Sequence, residues 1–264
     1  RCGAPAGAKH EHAYAAGTSE PAFEADCAMT AQLALNLRLR DGSSFENFYA
    51  GANAEAVARL GALIVDPVGS EPATLFLSGE TASGKSHLLQ AACRFVQARG
   101  GAALYVPLAE PQLTPDVLEA AEEAFLICID DLDRVAGNAK WESALFALYE
   151  LARANGARLV AAGNAAPAQL GLRMPELATR LAWGAVYQLH PLDDSAKLEA
   201  VRLRARNRGF ELPAEVARYI LNRYPRDMHS LFALLERIDV AALARQRRVT
   251  IPFLRSLEAA NDAR

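Results

Sequence analysis

Gly79-Glu80-Thr81-Ala82-Ser83-Gly84-Lys85-Ser86 fits the G-x-x-x-x-G-K-[ST] phosphate-loop pattern without a gap. An apolar run at 75–77 precedes it and a helical pattern at 87–96 follows. That strand-loop-helix context gives the pattern its physical meaning. Gly79 and Gly84 let the backbone curl so that successive N–H groups face phosphate oxygens, and the positive end of the following helix reinforces the field. Lys85 suits the β and γ phosphates, and the Ser86 hydroxyl suits Mg²⁺. The candidate nucleotide-binding residues are therefore Gly79, Thr81, Ala82, Ser83, Gly84, Lys85, Ser86 and His87, with ADP or ATP as the ligand. Lysine is scarce, four residues against 24 arginines, so its presence at position 85 is not a matter of composition.

Outward from this loop the sequence alternates short apolar runs with longer amphipathic ones. Strands are expected at 75–77, 103–106, 126–129, 159–162 and 186–189, and helices at 53–63, 85–99, 115–124, 141–154 and 175–181. Strand-helix alternation with continuously apolar strands implies an α/β fold, a five-stranded parallel sheet flanked by helices. Beyond Asp194 no strand pattern recurs. Helices expected at 196–207, 213–222, 228–243 and 252–260 form a small α-helical domain after the sheet. The divisions are then a disordered extension over 1–28, a tail over 29–44, a nucleotide-binding αβα domain over 45–190 and a helical domain over 191–264.

A second chemical signal lies about 45 residues after the loop, where the apolar run 126–129 ends in Asp130 and Asp131. A carboxylate at the end of a buried strand is how phosphate-loop proteins hold the Mg²⁺ shell. Asp130 is the candidate for that role, and Asp131 for polarising an attacking water. Aspartate reaches less far than glutamate, so weak intrinsic hydrolysis is expected.

Composition narrows the classes. The 264 residues are 52% hydrophobic and 22% charged, an ordinary globular balance. The apolar runs are far short of the ~20 residues of a spanning helix. No leader-like pattern opens the chain, so a cytoplasmic location is the expectation. Its four cysteines follow neither metal nor disulfide spacing. A net charge of -3 argues against coating nucleic acid through bulk charge. The distribution is uneven, with 14 basic and 10 acidic residues from Pro191 onward, against 14 and 21 before it.

Taken together these motifs resemble the DnaA-related branch of the AAA+ ATPases, and in particular the Hda group of regulatory inactivators. Ser44-Phe45-Glu46-Asn47-Phe48 is similar to the entry segment of DnaA-like domains, whose following residues flank the base. Leu177-Ala178-Thr179-Arg180-Leu181-Ala182-Trp183-Gly184 is similar to the segment bearing the arginine finger, which implies that role for Arg180. A guanidinium meets a γ-phosphate bidentately and is worth about 10³- to 10⁵-fold in rate in GTPase systems. The resemblance also implies a first sensor at Asn164 and a second at Arg226 within Pro225-Arg226-Asp227-Met228, and makes the helical region the lid of an AAA+ P-loop NTPase.

Gln32-Leu33-Ala34-Leu35-Asn36-Leu37 is similar to the peptide by which many bacterial proteins bind the sliding clamp of DNA polymerase III, the beta subunit. Gln32 would supply an amide contact and Leu33, Leu35 and Leu37 would fill an apolar groove. As bare spacing, alternate leucines fit an edge strand equally well. Two expected absences fit the Hda group. No DNA-binding helix-turn-helix is expected after the lid, and only 18 residues, 108–125, acidic on balance, occupy the interval where DnaA carries a helical insertion. Direct sequence-specific DNA binding is not expected.

The resemblance thus implies a negative regulator of replication initiation. It would bind adenine nucleotide with Mg²⁺, dock on the clamp near the nucleoid, and stimulate hydrolysis of DnaA-bound ATP. Preference for ADP is implied too, although members of the group often carry an eroded phosphate loop and this one is intact. Other classes are a DnaA-like loader or recruiter and a self-contained P-loop NTPase.

Overall fold

The computed structural model describes residues 42–65, 73–245 and 248–262. The extension 1–28 and the tail motif 32–37 lie outside them. Five strands, β1 (Thr74–Gly79), β2 (Ala103–Pro107), β3 (Leu126–Asp130), β4 (Arg158–Gly163) and β5 (Ala185–Leu189), form one parallel sheet in the order β2-β3-β4-β1-β5. β1, β3 and β4 are buried nearly throughout, whereas the edge strands β2 and β5 alternate. That is the burial expected when helices cover both faces and only the edges meet solvent.

The period of two along each strand sorts the core into two faces. Leu75, Leu77, Cys128, Val160 and Ala162 pack under α1 (Ala54–Val65) and α2 (Lys85–Gln97), on Leu60, Leu63, Leu88, Leu89 and Val96. Phe76, Ile127, Ile129, Leu159 and Ala161 face the other way, under α3 (Ala139–Asn155) and α4 (Pro175–Ala182), on Leu145, Leu148, Leu177 and Leu181. A third apolar cluster, centred on Val201, Val216, Ile220, Leu235 and Leu254, joins α5 (Asp194–Asn207), α6 (Ala214–Arg223), α7 (Met228–Arg245) and α8 (Ile251–Asp262) into the lid.

One expected helix is corrected. Residues 115–124 form only a 3₁₀ segment, Pro115–Ala121, without a capping side-chain bond. Asp116, Glu119, Glu122 and Glu123 leave few apolar residues to hold it. Leu118 and Ala121, three apart and therefore eclipsed in a 3₁₀ turn, are its two buried residues, with Val117 packed beside them.

Buried charge fixes the start of α4. Glu142, on α3 and 1% exposed, accepts from the backbone N–H of Gly137 (2.6 Å), Arg173 (3.1 Å) and Met174 (2.7 Å). Glu142→Ala would strand these donors in the core, at a cost of about 3 kcal/mol. At roughly 2–4 °C per kcal/mol for a chain of this size, the thermal midpoint is expected to fall by several degrees in a calorimetric melt, with nucleotide affinity retained.

Candidate nucleotide site

The phosphate loop follows β1 at the C-terminal edge of the sheet, where the strand order switches direction, the usual ligand crevice of an open parallel sheet. Its two glycines are required. A Cβ on Gly79 would come within 2.6 Å of the Leu189 carbonyl oxygen, and one on Gly84, at φ +102°, within 2.7 Å of the Phe48 ring. Ala82 also has positive φ (65°), a conformation costing an L-residue roughly 1–2 kcal/mol. The loop is thus held as a tight curl despite local strain.

Lys85 opens α2 and is buried. Its Nζ donates to the carbonyls of Gly79 (2.6 Å) and Glu80 (2.9 Å). Burial pulls its pKa below the usual lysine value, and the charges of Asp130, Asp131 and Asp133 oppose that shift. Ser83 is buried, and its Oγ has no hydrogen-bond partner among the described residues. A buried cation, an orphaned hydroxyl and a curled run of backbone form a chemistry that fits an anionic phosphate. Ser86 lies beside them, half-buried.

Asp130 ends β3 and is 1% exposed. Its Oδ2 accepts from the Tyr105 hydroxyl (2.7 Å) and its Oδ1 from the Asp131 N–H (3.0 Å). Asp131 sits in the left-handed region at φ 56°, and burial, followed by Asp130 and Asp133, raises its carboxyl pKa. With Ser86, Asp130 is suited to hold Mg²⁺, and Asp131 has the raised basicity useful for polarising water. Asn164 is exposed just beyond β4. Its backbone N–H donates to Asp133 Oδ1 (3.0 Å), tying that loop to the aspartates. The structure therefore brings Lys85, Asp130 and Asp131 together, with Asp133 and Asn164 alongside.

The segment 44–48 covers the loop from the α2 side. His87 Nε2 meets the Ser44 carbonyl at 2.9 Å, its ring lies 5.4 Å from that of Phe48, and burial lowers its pKa. Arg226 lies on the lid, exposed, with Nη1 on Asp194 Oδ2 (2.6 Å) and Nε on the Leu221 carbonyl (3.1 Å).

Arg180 stands apart. It lies near the end of α4, and Gly184 beyond it backs so closely onto the Thr74 carbonyl that no Cβ fits. Thr74 opens β1 whereas the phosphate loop follows Gly79, about 17 Å along the strand at ~3.3 Å per residue. Arg180 is also on the face opposite α2. Its Nε pairs with Glu150 at 3.1 Å and its guanidinium lies 4.1 Å from the centre of the exposed Trp183 ring. Nη1 and Nη2 have no hydrogen-bond partner among the described residues. The side chain is 25% exposed, held between Glu150 and the rings of Trp183 and Tyr149.

Tyr105, Asp133, Glu150 and Trp183 escaped sequence reasoning as functional residues. Only Tyr105 left a signal, a hydroxyl in an otherwise aliphatic strand.

Residues 194–257 match the family described as Hda, lid domain. Among solved structures, domain III of the Thermotoga maritima replication initiation protein DnaA superposes with a TM-score of 0.66 at 21% identity, covering 82% of this chain and 95% of that one. AMPPCP-bound DnaA from Aquifex aeolicus gives 0.58 at 19%, covering 74% of this chain and 65% of that one. A RuvB variant from Thermotoga maritima gives 0.58 at 18%, covering 84% and 73%. The chain has the fold of these AAA+ domains, a five-stranded parallel sheet flanked by helices, and its helical region matches the Hda lid domain over residues 194–257.

Lys85→Ala removes the buried cation of the loop. Affinity for ADP and ATP should drop by at least tenfold in a titration with labelled nucleotide, and unchanged affinity for both would remove the site from this pocket.

Proposed function

We propose that the chain binds adenine nucleotide in its own loop and works as a regulator of the initiator DnaA, presenting Arg180 to ATP held in DnaA's pocket. The observation that carries this reading is the placement of Arg180 near the end of α4, on the sheet face opposite α2 and toward the end of β1 away from the phosphate loop. A guanidinium so placed cannot serve the nucleotide of the same chain. Its natural target is a γ-phosphate across an interface, where it stabilises charge spread over the transferring oxygens. The Hda-type lid and the DnaA-like fold support DnaA as the partner.

In this chain's own pocket the loop backbone, Lys85 and Ser83 bind phosphates, while Ser86 and Asp130 would hold Mg²⁺, which would neutralise phosphate charge. Asp131, Asn164 and Arg226 complete the nucleotide contacts, the last by closure of the lid. The shorter Asp131 in the water-polarising position supports slow intrinsic turnover, so the nucleotide here acts chiefly as a structural ligand. The tail residues Gln32, Leu33, Leu35 and Leu37 bind the clamp, which places the chain beside newly replicated DNA and conversion of the initiator to its ADP form behind the fork.

The test is hydrolysis of ATP preloaded on DnaA, with clamp loaded on DNA. Arg180→Ala should keep its thermal midpoint, nucleotide affinity and clamp binding yet lose stimulation by at least about 10³-fold. Gln32→Ala combined with Leu35→Ala should lose clamp capture and retain nucleotide affinity. Full stimulation by a well-folded Arg180→Ala protein would overturn the mechanism and favour a recruiter or loader.

A further inference from the structure

A file of buried and half-buried polar groups runs from the entry segment to the Mg²⁺ carboxylate. Ser43 is 7% exposed, and its Oγ donates to Gln90 Oε1 at 3.2 Å. Gln90, 4% exposed on α2, donates through Nε2 to the Tyr105 hydroxyl oxygen at 3.1 Å. Tyr105, on β2, donates to Asp130 Oδ2 at 2.7 Å. Every donor in the file points toward the carboxylate, so the sense of each link is set by the next. The Gln90 amide has one workable orientation, with oxygen to the serine and nitrogen to the phenol. Asp130 Oδ1 is taken by the Asp131 N–H. A carboxylate fixed at both oxygens cannot turn about its Cβ–Cγ bond, and its remaining lone pairs keep a single orientation.

Four elements contribute one group each, the entry segment, α2, β2 and the end of β3. The entry segment is itself fastened to the lid. Arg204 of α5 donates to the Gly42 carbonyl, and Asn207 Nδ2 donates to the Glu46 carbonyl at 2.7 Å and to Asn47 Oδ1 at 2.8 Å. A displacement of residues 42–47 therefore pulls on both the lid and the Mg²⁺ carboxylate.

We infer that Tyr105, Gln90 and Ser43 are positioning residues for Asp130, so that Mg²⁺-dependent nucleotide affinity is coupled to the seating of the segment that follows the tail. This rests on the nucleotide-binding reading above. Coupling is reciprocal: whatever holds residues 42–47 in place strengthens Mg²⁺-nucleotide binding, and whatever draws them out weakens it. Mg²⁺ demands near-ideal octahedral geometry, which makes its affinity sensitive to carboxylate orientation.

Calorimetric titration of the full chain with ATP, once with Mg²⁺ and once with EDTA, separates positioning from structural roles. Tyr105→Phe removes one oxygen and little else, and should lower affinity about tenfold in Mg²⁺ while leaving the EDTA value within twofold. Ser43→Ala, at the far end of the file, should give a smaller loss of the same kind at an unchanged thermal midpoint. Equal losses in both buffers, an unchanged or tighter Mg²⁺ affinity in Tyr105→Phe, or no effect of Ser43→Ala would overturn the coupling. Failure of the wild-type chain to bind ATP in either buffer would instead overturn the underlying nucleotide-binding reading, and the inference with it.

Discussion

The nucleotide side of the molecule depends on one electrostatic compromise, a lysine ammonium buried at the switch point of a parallel sheet with three carboxylates at hand. Lys85 loses solvent on entering the core, and it recovers two hydrogen bonds from loop carbonyls together with the field of Asp130, Asp131 and Asp133. The surrounding strain follows from that arrangement. The loop must curl through positive φ at Ala82 and Gly84 to bring its carbonyls onto Nζ, and Asp131 must enter the left-handed region to follow Asp130 without extending β3. Strain of this kind persists only where packing over-determines it. Here Phe48 against Gly84 and Leu189 against Gly79 supply the packing.

Parallel-sheet topology then separates the phosphate loop from Arg180 in space. Loops after strands gather at one edge, so the end of β3 and the loops after β1 and β4 meet around the phosphate site. Helices between parallel strands run back the other way, so the ends of α3 and α4 bring Glu150, Arg180 and Trp183 to the opposite edge. The proposed function assigns its nucleotide to the first edge and its arginine finger to the second.

Much of this was legible in the sequence because it rests on local patterns. The five strands were found within one or two residues at each end, since burial on both faces makes runs such as Leu126-Ile127-Cys128-Ile129 continuously apolar. The loop was legible because glycine, lysine and serine at fixed offsets have few other uses. The apolar spacing over 115–124 fits a longer helix than the 3₁₀ segment Pro115–Ala121, because spacing alone does not register the four acidic residues in that stretch. Tyr105 and Asp133 stayed hidden for another reason. Their partners, Asp130 Oδ2 and the Asn164 N–H, are set by strand register and loop closure, and neither quantity is written in a local window. Glu150 is the same case, 30 residues from Arg180 and adjacent only because α3 and α4 pack side by side.

The central claim is that the accelerated chemistry occurs in the partner's pocket and not in this chain's own. A single-turnover reaction with two distinguishable labels addresses it directly: DnaA is loaded with ATP carrying one isotope, this chain with ATP carrying another, and both are mixed with clamp-loaded DNA. The account requires rapid conversion of the DnaA-bound label to ADP while the label on this chain turns over no faster than in the chain alone. Rapid loss of the label held by this chain, with DnaA's ATP unchanged, would contradict it.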